Sequence, residues 1–131
     1  VNVSITRRYT FSAAHHLIGM RARHKCSQLH GHNYAVEVTV SGPLSNGLIL
    51  DAADLDLVVG PILAELDHND LNEVGTISTS KAILIQPSAE NIATYLWAQL
   101  NLALGDGDHP RLHLVKVRVQ ETERLYAEVT A

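Results

Sequence analysis

The chain is 131 residues long, 46% of them hydrophobic, with a formal net charge of −4. No apolar run is long enough to cross a bilayer and no basic-then-apolar leader opens the chain, so it reads as one globular domain over 1–131 in the cytoplasm. The single cysteine, Cys26, has no partner for an internal disulfide, which suits a reducing compartment and leaves the thiol free for chemistry. Charge is uneven: Arg7, Arg8, Arg21, Arg23 and Lys25 face only Glu37 within residues 1–50, and the remainder is acidic. A nucleic-acid binder pairs a basic stretch with a recognisable module, and none is visible, so neither nucleic acid nor membrane is expected as a partner. The basic cluster suits a small anionic ligand such as a phosphate ester, or else an ordinary solvated loop.

In chain order, Ile5, Tyr9, Phe11, Ala13 and His15 fall on odd positions and predict a strand over 3–15 that ends at His15. A loop over about 16–28 leads to the clearest strand, His32–Gly42, where Tyr34, Val36, Val38 and Val40 alternate with Asn33, Ala35, Glu37 and Thr39. Ser41-Gly42-Pro43 and Ser45-Asn46-Gly47 are turn signals. Asp51 or Asp54 can cap a helix with Leu55, Val58, Val59, Ile62 and Leu66 on one face, and Gly60-Pro61 predicts a kink or restart within it. The long connection Val74–Pro87 follows, its Ala82-Ile83-Leu84-Ile85 reading as a short strand or a covered flap. Ser88 caps a second helix that Glu90-Asn91 open, that carries Ile92, Leu96, Leu100 and Leu104, and that Gly105 closes. Arg111–Glu121 and Leu125–Thr130 are the last two strands. The order ββααββ predicts an α+β domain, an antiparallel sheet with two helices on one face.

The chemistry concentrates in Cys26-Ser27-Gln28-Leu29-His30-Gly31-His32. Side chains two apart in a strand point the same way, so His30 and His32 can reach one ion while Gly31 turns away. With His15 they would make three nitrogen ligands, and three protein ligands plus an open position is the pattern of catalytic zinc. Imidazoles also accept nickel, copper or iron. His16 would face away from His15, and His24, His109 and His113 are left as non-ligands.

The segments Phe11-Ser12-Ala13-Ala14-His15, Cys26 with His30-Gly31-His32-Asn33-Tyr34, Leu50-Asp51, Leu66-Asp67-His68 with Leu71-Asn72, Pro87-Ser88-Ala89-Glu90-Asn91-Ile92-Ala93 and Glu121-Thr122 stand in one order. In that order they resemble the 6-pyruvoyltetrahydropterin synthase / 6-carboxytetrahydropterin synthase family over nearly the whole chain. The resemblance implies the T-fold, in which sheets of several subunits close into a β-barrel, with pterin sites at subunit interfaces. It also implies Zn2+ on His15, His30 and His32, and a homo-oligomer, a hexamer built from two trimers. The three-residue gap between Cys26 and His30 resembles the bacterial 6-carboxy-5,6,7,8-tetrahydropterin synthases. These convert 7,8-dihydroneopterin triphosphate with loss of triphosphate and acetaldehyde, towards queuosine-type 7-deazapurines. Ala52 after Asp51, and Pro87-Ser88-Ala89, depart from the usual family residues around the pocket and bear on substrate choice.

Cys26 is the expected general base, a thiol whose pKa a divalent cation and basic neighbours would lower, against the alternatives of a fourth zinc ligand or a passive thiol. By the resemblance Asp67 and His68 complete the proton relay; by position alone they would simply end the first helix. Glu121 matches the family's pterin anchor, a carboxylate able to accept two parallel hydrogen bonds from the ring N–H and amino group. Glu90 either supports the pocket of a neighbouring subunit or favours a helix N-terminus. Competing readings are a 6-pyruvoyltetrahydropterin synthase, a zinc hydratase or hydrolase in which Cys26 is dispensable, and a noncatalytic pterin-binding or assembly module.

Overall fold

A computed structural model of the chain describes residues 2–74, 86–105 and 111–131. The strands are β1 (Ser4–His15), β2 (His30–Ser41), β3 (His113–Thr122) and β4 (Leu125–Thr130). Between β2 and β3 lie α1 (Ala52–Ala64), the single turn α2 (Leu71–Val74) and α3 (Ala89–Gly105), and a 3-10 turn, Lys25–Ser27, precedes β2. The strands form one antiparallel sheet in the order β1-β2-β3-β4. The expected ββααββ order therefore holds, with α2 as an addition, and the sheet is open. No helix among the described residues is long and apolar enough to cross a membrane. Residues 82–85, expected as strand or flap, and His109 lie outside the described residues.

Period-two alternation decides which face the helices cover. Phe11 and Ala13 of β1, Tyr34, Val36, Val38 and Val40 of β2, and Leu114, Val117 and Val119 of β3 are buried against Leu55, Val59 and Leu63 of α1 and Ile92, Leu96 and Leu100 of α3. Leu114 and Val117 share a face despite their odd spacing because the β2–β3 register shifts between Thr39 and Val40, leaving Val115 as the extra residue of a bulge. Phe11 and Tyr34 are register partners, and their rings stack with centroids 4.7 Å apart.

The caps follow the sequence. Asp51, not Asp54, caps α1 by accepting from the Ala53 N–H at 2.9 Å, and Ser88 Oγ accepts from Asn91 N–H at 3.2 Å to cap α3. Of the kink or restart expected at Gly60-Pro61, the restart does not occur: α1 runs on to Ala64 with Pro61 inside it. Pro61 and Leu57 are both exposed, so the carbonyl that loses its donor there lies on the water side. Asn46 and Gly47 have φ of 51° and 77° and form a two-residue turn closed by Ser45 and Leu48, as Asn-Gly does in hairpins.

One relationship positions the site. Residues 67–70 run along the free edge of β1, where His68 N–H donates to Ser12 C=O at 2.6 Å and Ala14 N–H donates to Asn69 C=O at 3.0 Å. The end of α1 is thereby stitched to the strand that delivers His15, and the carboxyl half of an exposed edge is covered.

Candidate metal centre and active site

The register that builds the core also builds a histidine cluster at the end of the sheet. His15 pairs with His30 across β1 and β2, and His32 stands two residues before buried Tyr34 on the same face. One nitrogen from each of the three rings lies within 4.8 Å of the others. His15 is fully buried, while His30 and His32 are half-buried.

Hydrogen bonds assign the ring protons. His15 Nδ1 lies 2.6 Å from Pro87 C=O and His30 Nδ1 lies 2.7 Å from Gln28 C=O. A carbonyl only accepts, so each Nδ1 carries the hydrogen and each Nε2 is left with a lone pair. These two Nε2 atoms face one another at 3.1 Å. His32 Nε2 is buried without a hydrogen bond, its nearest acid being Glu121 Oε1 at 3.6 Å. Burial lowers the pKa of both His15 and His32, opposed at His15 by the Pro87 carbonyl and at His32 by Glu121, which favours neutral rings. Converging lone pairs, an orphaned buried nitrogen and carbonyl-held ring orientations are what a divalent metal ion satisfies, so these residues fit one. Cys26 stands outside this group.

The other expected residues are placed less tightly. Cys26 lies half-buried in the 3-10 turn, and its thiol makes no hydrogen bond among the described residues. Asp67 Oδ1 accepts from Ser12 N–H at 2.9 Å and its Oδ2 lies 2.9 Å from His68 Nδ1. The Ser12 amide, then His68, hold the Asp67 carboxyl below its ordinary range. His68 sits at φ 58° with its side chain 82% exposed, so its ring is open to a ligand. A groove of about 470 Å³ lies between His68, Asn69 and Asp70 on one side and Ser12, His32 and Asn33 on the other. Glu121 is half-buried, next to a β3–β4 register shift between Gln120 and Thr122. Glu90 is exposed in the first turn of α3, away from the cluster's hydrogen bonds.

A family model described as 6-pyruvoyl tetrahydropterin synthase matches residues 4–131. The chain belongs to the 6-pyruvoyl tetrahydropterin synthase family. Among this family's proteins, one from Archaeoglobus fulgidus, named "Putative 6-carboxy-5,6,7,8-tetrahydropterin synthase", is 36% identical over 92% of this chain and 89% of its own. A Pyrococcus furiosus dihydroneopterin monophosphate aldolase is 33% identical over 84% of this chain and 86% of its own. The Caenorhabditis elegans 6-pyruvoyl tetrahydropterin synthase structure superposes with a TM-score of 0.81 at 25% identity, covering 100% of this chain and 96% of that one. The fold is accordingly the T-fold, here an open four-stranded sheet.

Sequence reasoning missed the groups that orient this synthase-family cluster. Pro87 and Gln28 act through their carbonyls, which no side-chain pattern reveals. Tyr34 was legible as a strand and motif residue without a role, yet its hydroxyl lies 3.3 Å from His15 Nδ1 and its ring packs edge-on to His15 and His32.

Proposed function

We propose that the protein is a zinc-dependent 6-carboxy-5,6,7,8-tetrahydropterin synthase, a lyase that converts 7,8-dihydroneopterin triphosphate and water to 6-carboxy-5,6,7,8-tetrahydropterin, triphosphate and acetaldehyde on the way to 7-deazapurines. The observation that carries the reading is the set of converging Nε2 atoms on His15, His30 and His32, beside a groove bordered by His68. The name of the Archaeoglobus relative supports the carboxy branch, as does the three-residue gap from Cys26 to His30.

Zinc on the three imidazoles supplies Lewis acidity, making the hydroxyls and neighbouring C–H of the substrate side chain more acidic. Cys26, as thiolate, takes a proton from the side-chain carbon beside the one that bears triphosphate, and triphosphate leaves with the bonding pair. His68 exchanges a proton through Nε2 while Asp67 holds its Nδ1–H, a division of labour that the 2.9 Å contact supports. Glu121 receives the ring N–H and amino group of the pterin, and Glu90 lines the pocket of a neighbouring subunit. The subunits form a homohexamer of two trimers in the cytoplasm; the outer edge of β4, unpaired among the described residues, is available for strand pairing.

A second reading, 6-pyruvoyltetrahydropterin synthesis, is favoured by the C. elegans neighbour, which aligns along the whole chain. Incubation of the zinc-loaded protein with 7,8-dihydroneopterin triphosphate, followed by mass spectrometry, separates the two. Acetaldehyde with 6-carboxytetrahydropterin is the expected result. Triphosphate without acetaldehyde assigns the pyruvoyl branch, and, in a parallel incubation with the monophosphate, turnover of that substrate alone assigns an aldolase.

A further inference from the structure

Residues 16–28, which carry Cys26, contain no regular structure beyond one 3-10 turn, so their position is set by what grips them. Two side-chain amides do so. Asn72 Oδ1 accepts from His16 N–H at 2.9 Å and Asn72 Nδ2 donates to His16 C=O at 3.0 Å. Gln86 Oε1 accepts from Ile18 N–H at 2.7 Å and Gln86 Nε2 donates to Ile18 C=O at 3.0 Å. Each amide offers the donor and acceptor that a neighbouring strand would offer, so both act as stand-in strand partners just past the end of β1. Leu17, between the gripped residues, donates its N–H to Cys26 C=O at 2.8 Å.

Gln86 is itself anchored. Its carbonyl accepts from Ser88 N–H and from Asn91 Nδ2, both at 2.8 Å, which ties it to the first turn of α3. The next residue, Pro87, supplies the carbonyl that orients His15. One dipeptide therefore holds the Cys26 segment by a side chain and a histidine of the cluster by a backbone oxygen.

We infer that Gln86 is a positioning residue whose amide clamp on Ile18 keeps the Cys26 segment in register with the histidine cluster. The inference rests on the proposed role of Cys26 in proton transfer. It acts on geometry, and a displacement of about 1 Å at a reacting group can cost about 100-fold in rate.

Gln86→Ala removes both bonds, whereas Gln86→Glu keeps the acceptor and sets a carboxylate against the Ile18 carbonyl; the second variant serves if the first does not fold. In the zinc-loaded protein, amide exchange over residues 16–28 and iodoacetamide alkylation of Cys26 should each quicken by roughly 10-fold or more, as expected for a locally opened segment. Zinc per subunit should be unchanged, and kcat should fall about 10- to 100-fold with KM nearly constant. Unchanged exchange and alkylation would overturn the clamp. A loosened segment with unchanged kcat, in a protein that Cys26→Ala inactivates, would overturn the positioning role. If Cys26→Ala keeps full turnover, the reading of Cys26 fails instead, and exchange and alkylation alone decide whether the clamp exists.

Discussion

His15 and His30 stand opposite one another in the β1–β2 register with their Nε2 atoms 3.1 Å apart, and both rings are committed by their Nδ1–H groups to backbone carbonyls. Two facing lone pairs repel unless a cation lies between them. Zinc should therefore stabilise the folded protein: at about 1,000 times its Kd, a ligand specific for the native state adds roughly 4 kcal/mol. Thermal melts with and without a chelator check this. His30→Ala should abolish the zinc-dependent rise while leaving the metal-free melting temperature near that of the parent. His15→Ala should lower the metal-free value as well, since His15 is fully buried and packs on Tyr34.

Cys26 lies outside the histidine group and is half-buried. Cys26→Ala should keep zinc at parental stoichiometry while turnover falls about 100- to 10,000-fold, the range for loss of a general base. Metal analysis beside a rate assay reads both, and loss of zinc from this variant would make the thiol a ligand.

Asp67 provides a pH signature. The Ser12 N–H and the His68 ring hold its carboxyl below the ordinary value of about 3.9, so its contribution to stability is present above that pH and is lost as pH falls through the depressed folded-state value. Asp67→Asn should be less stable than the parent near neutrality, and the two should converge in strong acid. Denaturation across the acid range tests this, and a gap that persists or widens in acid contradicts it.

Adjacent residues in α1 separate burial from surface charge. Leu55 is fully buried, whereas Asp56 meets Arg7 and Tyr9 at the exposed edge of β1. Leu55→Ala should cost about 2–5 kcal/mol by cavity formation. Asp56→Ala should shift the melting temperature far less, since exposed ion pairs contribute little.

The strands, the caps at Asp51 and Ser88, and the convergence of His30 and His32 were legible because each depends on residues a few positions apart. The meeting of His15 with His30 and His32 was expected from the sequence, and the β1–β2 register supplies its geometric reason. Three features stayed hidden: the strap of residues 67–70 on β1, the single turn α2, and the amide grips of Asn72 and Gln86. The strap and the grips join segments more than 50 residues apart, and every one of their bonds has a backbone group on at least one side, which leaves no trace in residue type; α2 is a single turn, too short to show a period. Of the kink or restart expected at Pro61, the restart is absent for a local reason, since the carbonyl of exposed Leu57 that loses its donor can bond water instead.

X-ray absorption at the zinc edge of the loaded protein tests the metal centre most directly. Three histidine nitrogens with oxygen completing the shell, all near 2.0–2.1 Å, and no sulfur are expected. A sulfur shell near 2.3 Å would make Cys26 a ligand and contradict its role as base, and failure to bind zinc at all would contradict the centre itself.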